Sequence, residues 1–297
     1  MSDDNGIDTT VICGFLGAGK TTRINRLINA GELRDALFLV NDFGSINIDA
    51  ELIEANEENV LRLNNGCACC GVSGNLSAQL RDIRRWPRPP QRLIFEASGI
   101  ARPRPLRELF AAAQGYRLDA SETLVDASTL ERHLADPAIA DIVRAQIADV
   151  EKLRVNRLDW LPATEQEAVV EQLREINPAA TVEVEPSQEA APGTIATHRG
   201  NAPAGPVITD TVSFPHPVDP AAVLALLDAA GPVLLRAKGM VKGDGPGTPR
   251  QLIQFAGGHG RILVTGPGRT HALVLIGHQG PEFDELLNAL RGLATPH

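Results

Sequence analysis

The chain has 297 residues, of which 43% are hydrophobic and 22% are charged, and its formal net charge at pH 7 is −9. These values exclude global disorder, a collagen-like repeat and a coiled coil. The acidic balance argues against a nucleic-acid partner. No apolar run approaches the roughly 18 residues that span a bilayer, so no membrane partner is expected. No signal peptide is visible, and three of the four cysteines lie within four residues. This predicts metal or redox chemistry in a reducing, cytoplasmic compartment.

Short apolar runs alternate with helical patterns over the first 185 residues. The pattern predicts strands at 9–13, 36–40, 93–95, 123–125, 153–155 and 181–184, and helices at 20–30, 75–85, 103–113, 139–148 and 164–176. This alternation predicts an α/β fold, in which a mostly parallel sheet is covered on both faces.

The composition changes at residues 187–206, where Gly, Pro, Ala, Ser and Thr dominate without periodicity. Such a segment is typical of a linker. Beyond it the pattern predicts strands at 207–214, 233–241, 252–255, 262–265 and 272–277, and helices at 220–230 and 281–293. We therefore predict a nucleotide-binding domain at 1–186, a linker at 187–206 and a smaller α+β domain with an antiparallel sheet at 207–297.

The sequence GFLGAGKTT at 14–22 follows the first predicted strand and precedes a predicted helix. It matches the phosphate-loop pattern G-x-x-x-x-G-K-[ST], in which backbone N–H groups and the helix dipole bind phosphate. Lys20 can reach the β- and γ-phosphates, and Thr21 can ligate Mg²⁺. The predicted nucleotide-binding residues of this loop are Gly14, Gly17, Ala18, Gly19, Lys20, Thr21 and Thr22.

The segment Asn156-Arg157-Leu158-Asp159 follows the strand at 153–155 and resembles the guanine signature Asn-Lys-x-Asp. The carboxylate of Asp159 can accept hydrogen bonds from N1–H and N2–H₂ of guanine, and adenine lacks this pair of donors. Arg157 stands where lysine is usual and could stack on the base. The alternative is that Asp159 only caps a turn. Its position after a later strand of a nucleotide-binding sheet favours guanine, with Asn156 and Asp159 reading the base.

The strand at 93–95 leads into Glu96-Ala97-Ser98-Gly99. An acid at this strand end can bind Mg²⁺ through water or support the attacking water, and the Gly99 N–H can sense the γ-phosphate. Lys20 and Glu96 are therefore the candidate catalytic residues. The alternative is a strand-to-helix turn with a solvated Glu96.

A cluster of three thiols, Cys67, Cys69 and Cys70, is bounded by glycines. Thiolates bind zinc, cobalt or nickel, and three of them leave one coordination position for a further ligand. No second cysteine pair exists, which excludes a closed four-cysteine site within one chain. A redox pair or small buried residues are the alternatives to a metal site.

These segments carry a family resemblance. In order, 14–22, Asn41-Asp42-Phe43-Gly44, 66–70, 96–99 and 156–159 resemble the CobW-type GTPases, which are relatives of the nickel chaperones for urease and hydrogenase. The stretch 146–149, just before the strand at 153–155, is also similar, and the stretch 235–239 extends the similarity past the predicted linker. The resemblance implies a GTP-dependent metallochaperone that delivers Zn²⁺ or Co²⁺ to a client metalloprotein or to an enzyme of a metal-cofactor pathway. Nucleotide state would control metal capture and release, and a homodimer is compatible with this function.

The sequence departs from the family pattern in four places. Asp42 stands where glutamate is more frequent, Ser45 replaces a residue that is often acidic, and Arg157 replaces lysine. The linker holds only His198 where many members carry a histidine-rich run, which argues against metal storage. Two other functions remain open: a small-molecule kinase that uses the same phosphate loop, and a non-enzymatic thiol metal buffer or redox sensor.

Overall fold

The computed structural model describes residues 6–33, 35–41, 59–62, 72–187, 206–242, 249–264 and 271–294, and only the backbone of 72–74. The cysteine cluster, the segment 42–45 and residues 188–205 of the predicted linker lie outside the described residues. The chain forms two compact units. The first contains Met1–Glu131 and Asp141–Ala190, and the second contains Arg132–Ala140 and Ala191–His297.

In the first unit, seven of the described strands form one sheet in the order β3-β2-β4-β1-β5-β6-β7, and every neighbouring pair is parallel. The strands are β1 (Ile7–Gly14), β2 (Ala36–Val40), β3 (Val60–Arg62), β4 (Arg92–Glu96), β5 (Tyr116–Asp126), β6 (Lys152–Asn156) and β7 (Thr181–Val184). The helices of this part of the chain are α1 (Lys20–Asn29), α2 (Val72–Arg84), α3 (Pro103–Ala112), α4 (Ala127–Ala135), α5 (Ala140–Ala148) and α6 (Ala163–Ile176). The end of α4 and the first residue of α5 lie in the segment Arg132–Ala140, which belongs to the second unit. This arrangement confirms the predicted α/β fold.

The central strand β1 shows why this sheet needs cover on both faces. Successive side chains of a strand point to opposite faces, and Ile12 and Cys13 are both fully buried. Cys13 packs in a cluster with Leu39 and Phe95, whereas Ile12 packs in a second cluster with Phe38. A strand that is apolar on both faces is typical of a parallel sheet between helical layers.

The second unit contains a separate antiparallel sheet in the order β11-β10-β9-β12-β8. Its elements are β8 (Val207–Ser213), α7 (Pro220–Ala229), β9 (Leu234–Lys242), β10 (Arg250–Ala256), β11 (His259–Val264), β12 (Ala272–His278) and α8 (Pro281–Leu293). Its core includes Val223 from α7, Leu273 from β12 and Phe283 from α8, each with no exposed surface. The predicted antiparallel α+β domain is therefore confirmed. Within the described residues, no helix combines the length and the apolarity needed to cross a bilayer.

His133 on α4 gives the fold a pH dependence that can be measured. Burial lowers the pKa of His133 from 6.5 to about 3, and the neighbouring charge of Arg132 adds to the effect. Between these two pKa values the unfolded chain binds a proton that the folded chain does not, so the stability supplied by neutral His133 is complete above pH 6.5 and is lost as the pH falls. At about 1.4 kcal/mol per pH unit, His133 should cost about 2 kcal/mol of unfolding free energy between neutral pH and about pH 5.

Chemical denaturation of wild type and His133→Gln at neutral pH and at about pH 5 measures this loss of unfolding free energy. The variant should lose the steep part of the pH dependence. His216→Gln, a change at an exposed histidine, should leave it intact. Identical pH profiles for wild type and His133→Gln would contradict the assignment.

Candidate functional site

The phosphate loop lies at the carboxyl end of β1, between the end of that strand at Gly14 and the start of α1 at Lys20. Gly14 has φ +138°, and a Cβ there would lie 2.5 Å from the carbonyl oxygen of Leu124 on β5. Gly19 has φ +95°, and a Cβ there would lie 2.9 Å from Nδ2 of Asn156. Only glycine fits both the backbone conformation and the space at these two positions. The glycines in the motif therefore let the loop curl tightly against β5 and β6.

The Lys20 ammonium is held by the backbone of this loop. Its Nζ donates to the carbonyl oxygen of Gly14 at 2.9 Å and approaches that of Phe15 at 3.5 Å, and the residue is only 6% exposed. A buried cation among backbone groups at a helix N-terminus is suited to an anionic ligand. Thr22, in the first turn of α1, is exposed.

Thr21 and Glu96 come together although they lie 75 residues apart in the chain. The register pairs Ile12 of β1 with Glu96, so the acid lies at the carboxyl end of β4, beside the loop. The Thr21 hydroxyl donates to Oε1 of Glu96 at 3.0 Å, and Glu96 is 3% exposed. A hydroxyl oxygen and a carboxylate oxygen at this spacing are the hard donors that Mg²⁺ takes, so these residues fit such an ion.

The segment that follows Glu96 packs against the phosphate loop. A Cβ on Gly99 would lie 2.5 Å from Cδ2 of Leu16, so no larger residue fits without displacing that side chain. Nε2 of Gln146 donates to the carbonyl oxygens of Gly99 at 3.1 Å and Ala101 at 2.9 Å. Gln146 is 1% exposed on α5, and it therefore fixes the backbone that carries Gly99.

The loop after β6 is tied to the phosphate loop and to β5. Nδ2 of Asn156 donates to the carbonyl oxygen of Ala18 at 2.6 Å. Arg157 has the left-handed φ of 55°, which is uncommon for a residue with a side chain. Its guanidinium pairs with Asp126 at the end of β5 and lies 4.8 Å from the ring centroid of Trp160. The arginine that replaces the usual lysine is therefore held by a carboxylate and an aromatic ring.

Asp159 lies in a 3₁₀ turn over Leu158–Trp160. The hydroxyl of Ser187 donates to its Oδ1. The turn thus presents the carboxylate next to the segment through which the chain leaves the sheet after β7.

The three predicted metal ligands, Cys67, Cys69 and Cys70, lie outside the described residues, as do Asp42, Phe43 and Gly44. Cys13 is fully buried in β1, and burial raises the pKa of its thiol to about 12. It is therefore an inert core residue. Within the part of the chain that the structure describes, no three His, Cys, Asp or Glu side chains are grouped as a metal site.

The structure thus brings most of the predicted nucleotide residues to one end of the sheet: the loop 14–22, Glu96, Gly99, Asn156 and Asp159. It also adds four residues to which the sequence assigned no role: Gln146, Asp126, Trp160 and Ser187. Asp126 and Ser187 each have one signal in the sequence, since each lies just beyond the apolar run of a strand near the expected ligand edge. Gln146 lies in the stretch 146–149 that takes part in the family resemblance, and Trp160 has no comparable signal.

A parallel sheet with a lysine-bearing glycine loop after its central strand, an acid at the neighbouring strand end and an Asn-x-x-Asp turn defines a phosphate-loop NTPase domain. The family model described as CobW/HypB/UreG, nucleotide-binding domain, matches residues 8–183. The chain belongs to this family, which confirms the resemblance seen in its motifs.

Several curated proteins are similar to this chain. The zinc chaperone YjiA of Escherichia coli (strain K12) is 31% identical over 186 residues, which cover 60% of this chain and 57% of that protein. The zinc chaperone CobW of Pseudomonas aeruginosa is 28% identical over 217 residues, which cover 63% and 58%. The zinc-regulated GTPase metalloprotein activator 1 of Dictyostelium discoideum is 32% identical over 158 residues, which cover 46% and 33%. The chain thus matches at most 58% of the length of any of these three relatives.

Two solved structures are similar over most of their length. The Zn(II)-bound YjiA GTPase from E. coli has a TM-score of 0.41 and 23% identity, with 97% of this chain and 99% of that chain covered. HypB from Helicobacter pylori in complex with nickel has a TM-score of 0.42 and 14% identity, with 62% and 81% covered.

Proposed function

We propose that this chain is a GTPase that binds a transition metal, Zn²⁺ or Co²⁺, through Cys67, Cys69 and Cys70 and couples delivery of that metal to GTP hydrolysis. The observation that carries the proposal is the arrangement at one end of the sheet, where Lys20 donates to the loop backbone at Gly14 and the next residue, Thr21, donates to Glu96. Family membership and the names of the zinc chaperones to which the chain is similar support the metal part.

The phosphate chemistry follows from the side chains at the loop. The Lys20 ammonium would exchange its carbonyl partners for phosphate oxygens and stabilise the charge that develops during hydrolysis. Thr21 and Glu96 would hold Mg²⁺, which neutralises phosphate charge when it is bound. Glu96 would also orient the attacking water, and the Gly99 N–H would contact the γ-phosphate.

The base chemistry depends on the loop after β6. Asn156 joins this loop to the phosphate loop through Ala18, so the base site and the phosphate site are held together. The carboxylate of Asp159 would accept hydrogen bonds from N1–H and N2–H₂ of guanine. The guanidinium of Arg157 would provide a flat surface near the base in place of the usual lysine stem.

The metal chemistry depends on the thiol cluster. Thiolates select soft or borderline ions, and three of them leave a position for a client ligand, which favours transfer over storage. Because the cluster lies in the chain between Asn41 and Glu96, a change in that connection on GTP binding would alter metal affinity. The partner would be a client metalloprotein or an enzyme of a metal-cofactor pathway in the cytoplasm, and the chaperone would act as a monomer or homodimer.

The experiment is to measure Zn²⁺ and Co²⁺ affinity with GTP, with GDP and without nucleotide. The coupling free energy between two linked sites is typically about 1–3 kcal/mol, so metal affinity should change about 5- to 150-fold between GTP and GDP. By reciprocity, the metal must change GTP affinity by the same factor. Binding should also weaken as the pH falls, because protons compete for the thiolates.

Two variants sharpen this measurement. Cys67→Ser/Cys69→Ser/Cys70→Ser should abolish the coupled binding. Cys13→Ala should retain it, because that thiol is buried and protonated. Equal metal affinity in all nucleotide states would favour a thiol buffer, and phosphate release only with an added acceptor would favour a small-molecule kinase.

A further inference from the structure

Helix α1 meets the sheet through two kinds of contact. On one side, Ile24 is 1% exposed and packs in an apolar cluster with Phe38 of β2 and Ile94 of β4. On the other side, Arg23 and Arg26 pair with carboxylates from β5 and from the residue that follows β7. Strands of a covered parallel sheet are usually apolar on both faces, so charged pairs under this helix need a physical explanation.

The charged side of α1 forms a closed ring of alternating charges. Nε of Arg23 lies 3.5 Å from Oε1 of Glu122 on β5, and its Nη1 lies 3.2 Å from Oε1 of Glu185. Arg154 on β6 closes the ring, because its Nε donates to Oε2 of Glu122 and its Nη1 donates to Oε1 of Glu185 at 3.2 Å. We call Arg23, Glu122, Arg154 and Glu185 the ion ring. Their side chains are between 6% and 12% exposed, and their charges cancel.

Stability alone does not explain the ion ring. Removing a charge from water is costly, and a buried ion pair that is replaced by apolar residues of similar volume often leaves a protein equally stable or more stable. The ion ring differs from an apolar contact in its geometry, since a guanidinium presents its donors in a fixed planar fork. Arg23 and Arg154 each use this fork to contact two carboxylates, so the helix and the strands are held at one mutual rotation.

The rotation of α1 decides where Thr21 lies. Thr21 is the second residue of α1, whereas Glu96, to which its hydroxyl donates at 3.0 Å, ends β4. The two Mg²⁺ donors that the proposed function assigns are thus on separate elements, one on the helix and one on the sheet. Mg²⁺ demands near-octahedral geometry with metal–oxygen distances of about 2.0–2.1 Å, so a small rotation of the helix is enough to spoil this pair. Arg23 lies only two residues after Thr21, within the same helical turn.

We propose that the ion ring positions Thr21 for Mg²⁺: it fixes the rotation of α1 against β5 and β6, so that the Thr21 hydroxyl meets Glu96 at the spacing that the ion needs. Its members are positioning residues, because they act through Thr21 and contact no ligand themselves. The inference rests on the proposed function, a GTPase that uses Mg²⁺. It gives a role to four residues that lie outside both the phosphate-loop motif and the guanine motif.

The test compares the dissociation constant of GDP in Mg²⁺ with that in EDTA, measured by calorimetry on the full chain. The ratio of the two constants reports how much Mg²⁺ strengthens GDP binding, which depends on Thr21 and Glu96. The apolar ring variant is Arg23→Met/Glu122→Leu/Arg154→Met/Glu185→Leu. It should lower this ratio about 5- to 10-fold and lower kcat for GTP about 10- to 100-fold, with a smaller change in KM.

The apolar ring variant should unfold at the wild-type temperature or above it. Two charged neighbours lose a partner in this variant, Arg26 and Glu183, but their side chains are 30% and 41% exposed and can be solvated. Unchanged thermal unfolding together with a lower Mg²⁺ ratio separates a positioning role from a structural one.

Two further variants complete the test. Arg23→Lys keeps the charge but gives up the planar fork, so it should lower the Mg²⁺ ratio by a smaller factor, about 2- to 5-fold. Arg104→Met/Glu108→Leu removes an exposed ion pair on α3, in which Nε and Oε1 lie 3.1 Å apart. This control should change neither the ratio nor kcat.

If the apolar ring variant keeps the wild-type Mg²⁺ ratio and kcat, the positioning role is wrong. Equal weakening of GDP in Mg²⁺ and in EDTA would also overturn it, because that result indicates a structural role. If the apolar ring variant does not fold, Arg23→Lys decides by the same two outcomes. A wild-type chain that releases no phosphate from GTP, or whose GDP affinity does not respond to Mg²⁺, would instead reject the proposed function, and the role of the ion ring with it.

Discussion

Replacing Asp159 with asparagine is expected to exchange a preference for guanine for a preference for xanthine. The amide oxygen of the substituted side chain still accepts a hydrogen bond from N1–H. Its amide nitrogen would face the 2-amino group of guanine, and because both groups are donors, no hydrogen bond can form between them. Losing a hydrogen bond to a charged acceptor and leaving a donor unpaired costs about 3–4 kcal/mol, which weakens GTP about 100- to 1,000-fold. Xanthine carries a carbonyl oxygen at C2 that accepts from the same amide, so XTP should bind the variant more tightly than GTP does.

Competition binding with GTP, XTP and ATP measures this exchange. Asp119→Asn, the same substitution at an exposed position in the first half of β5, is the matched control and should keep the preference for guanine. If Asp159→Asn retains the wild-type order of affinities, Asp159 does not read the base.

Lys20→Ala is expected to reduce GTP turnover by about 100- to 1,000-fold, the usual cost of removing one donor that stabilises transition-state charge. The fold should persist, because in this structure the Lys20 ammonium bonds to carbonyl oxygens of its own loop and belongs to no apolar cluster. Steady-state phosphate release gives the turnover, and thermal unfolding gives the stability.

Lys152→Ala is the control for Lys20→Ala. Lys152 is on β6 in the same sheet, and its Nζ lies 3.2 Å from Oε1 of Glu183 at a partly exposed position. Its loss should leave turnover unchanged. Turnover by Lys20→Ala at the wild-type rate would remove the phosphate loop from the mechanism.

The sequence predicts this fold well where burial is continuous. Strand β2 is buried along its whole length, and its predicted bounds agree with the structure. The first half of β5 was not predicted because its burial alternates and exposes Arg117 and Asp119. Helix α4 was not predicted because it follows β5 directly at Ala127, without a glycine or proline to mark the change.

For the candidate site, prediction from the sequence is limited by contacts between distant segments. A local motif is enough to propose Lys20 and Asp159 as site residues, because the chemistry and the spacing lie within one short segment. It does not reveal that Asn156 bonds to Ala18 across 138 residues, or that Gln146 holds the backbone at Gly99. Such contacts depend on strand order and register, which hydrophobic periodicity does not specify. For the same reason, composition places Ser187 in the linker, whereas the structure bonds it to Asp159.

The ring of Trp160 beside the Arg157 guanidinium has a practical consequence for spectroscopy. The chain has two tryptophans, and the other, Trp86, is 36% exposed just beyond α2. A Trp86→Phe chain would have a single tryptophan, located in the loop that carries Asp159. Its emission would report directly on events at the base site, so unmodified nucleotides could be titrated without a dye on the ribose or the phosphate.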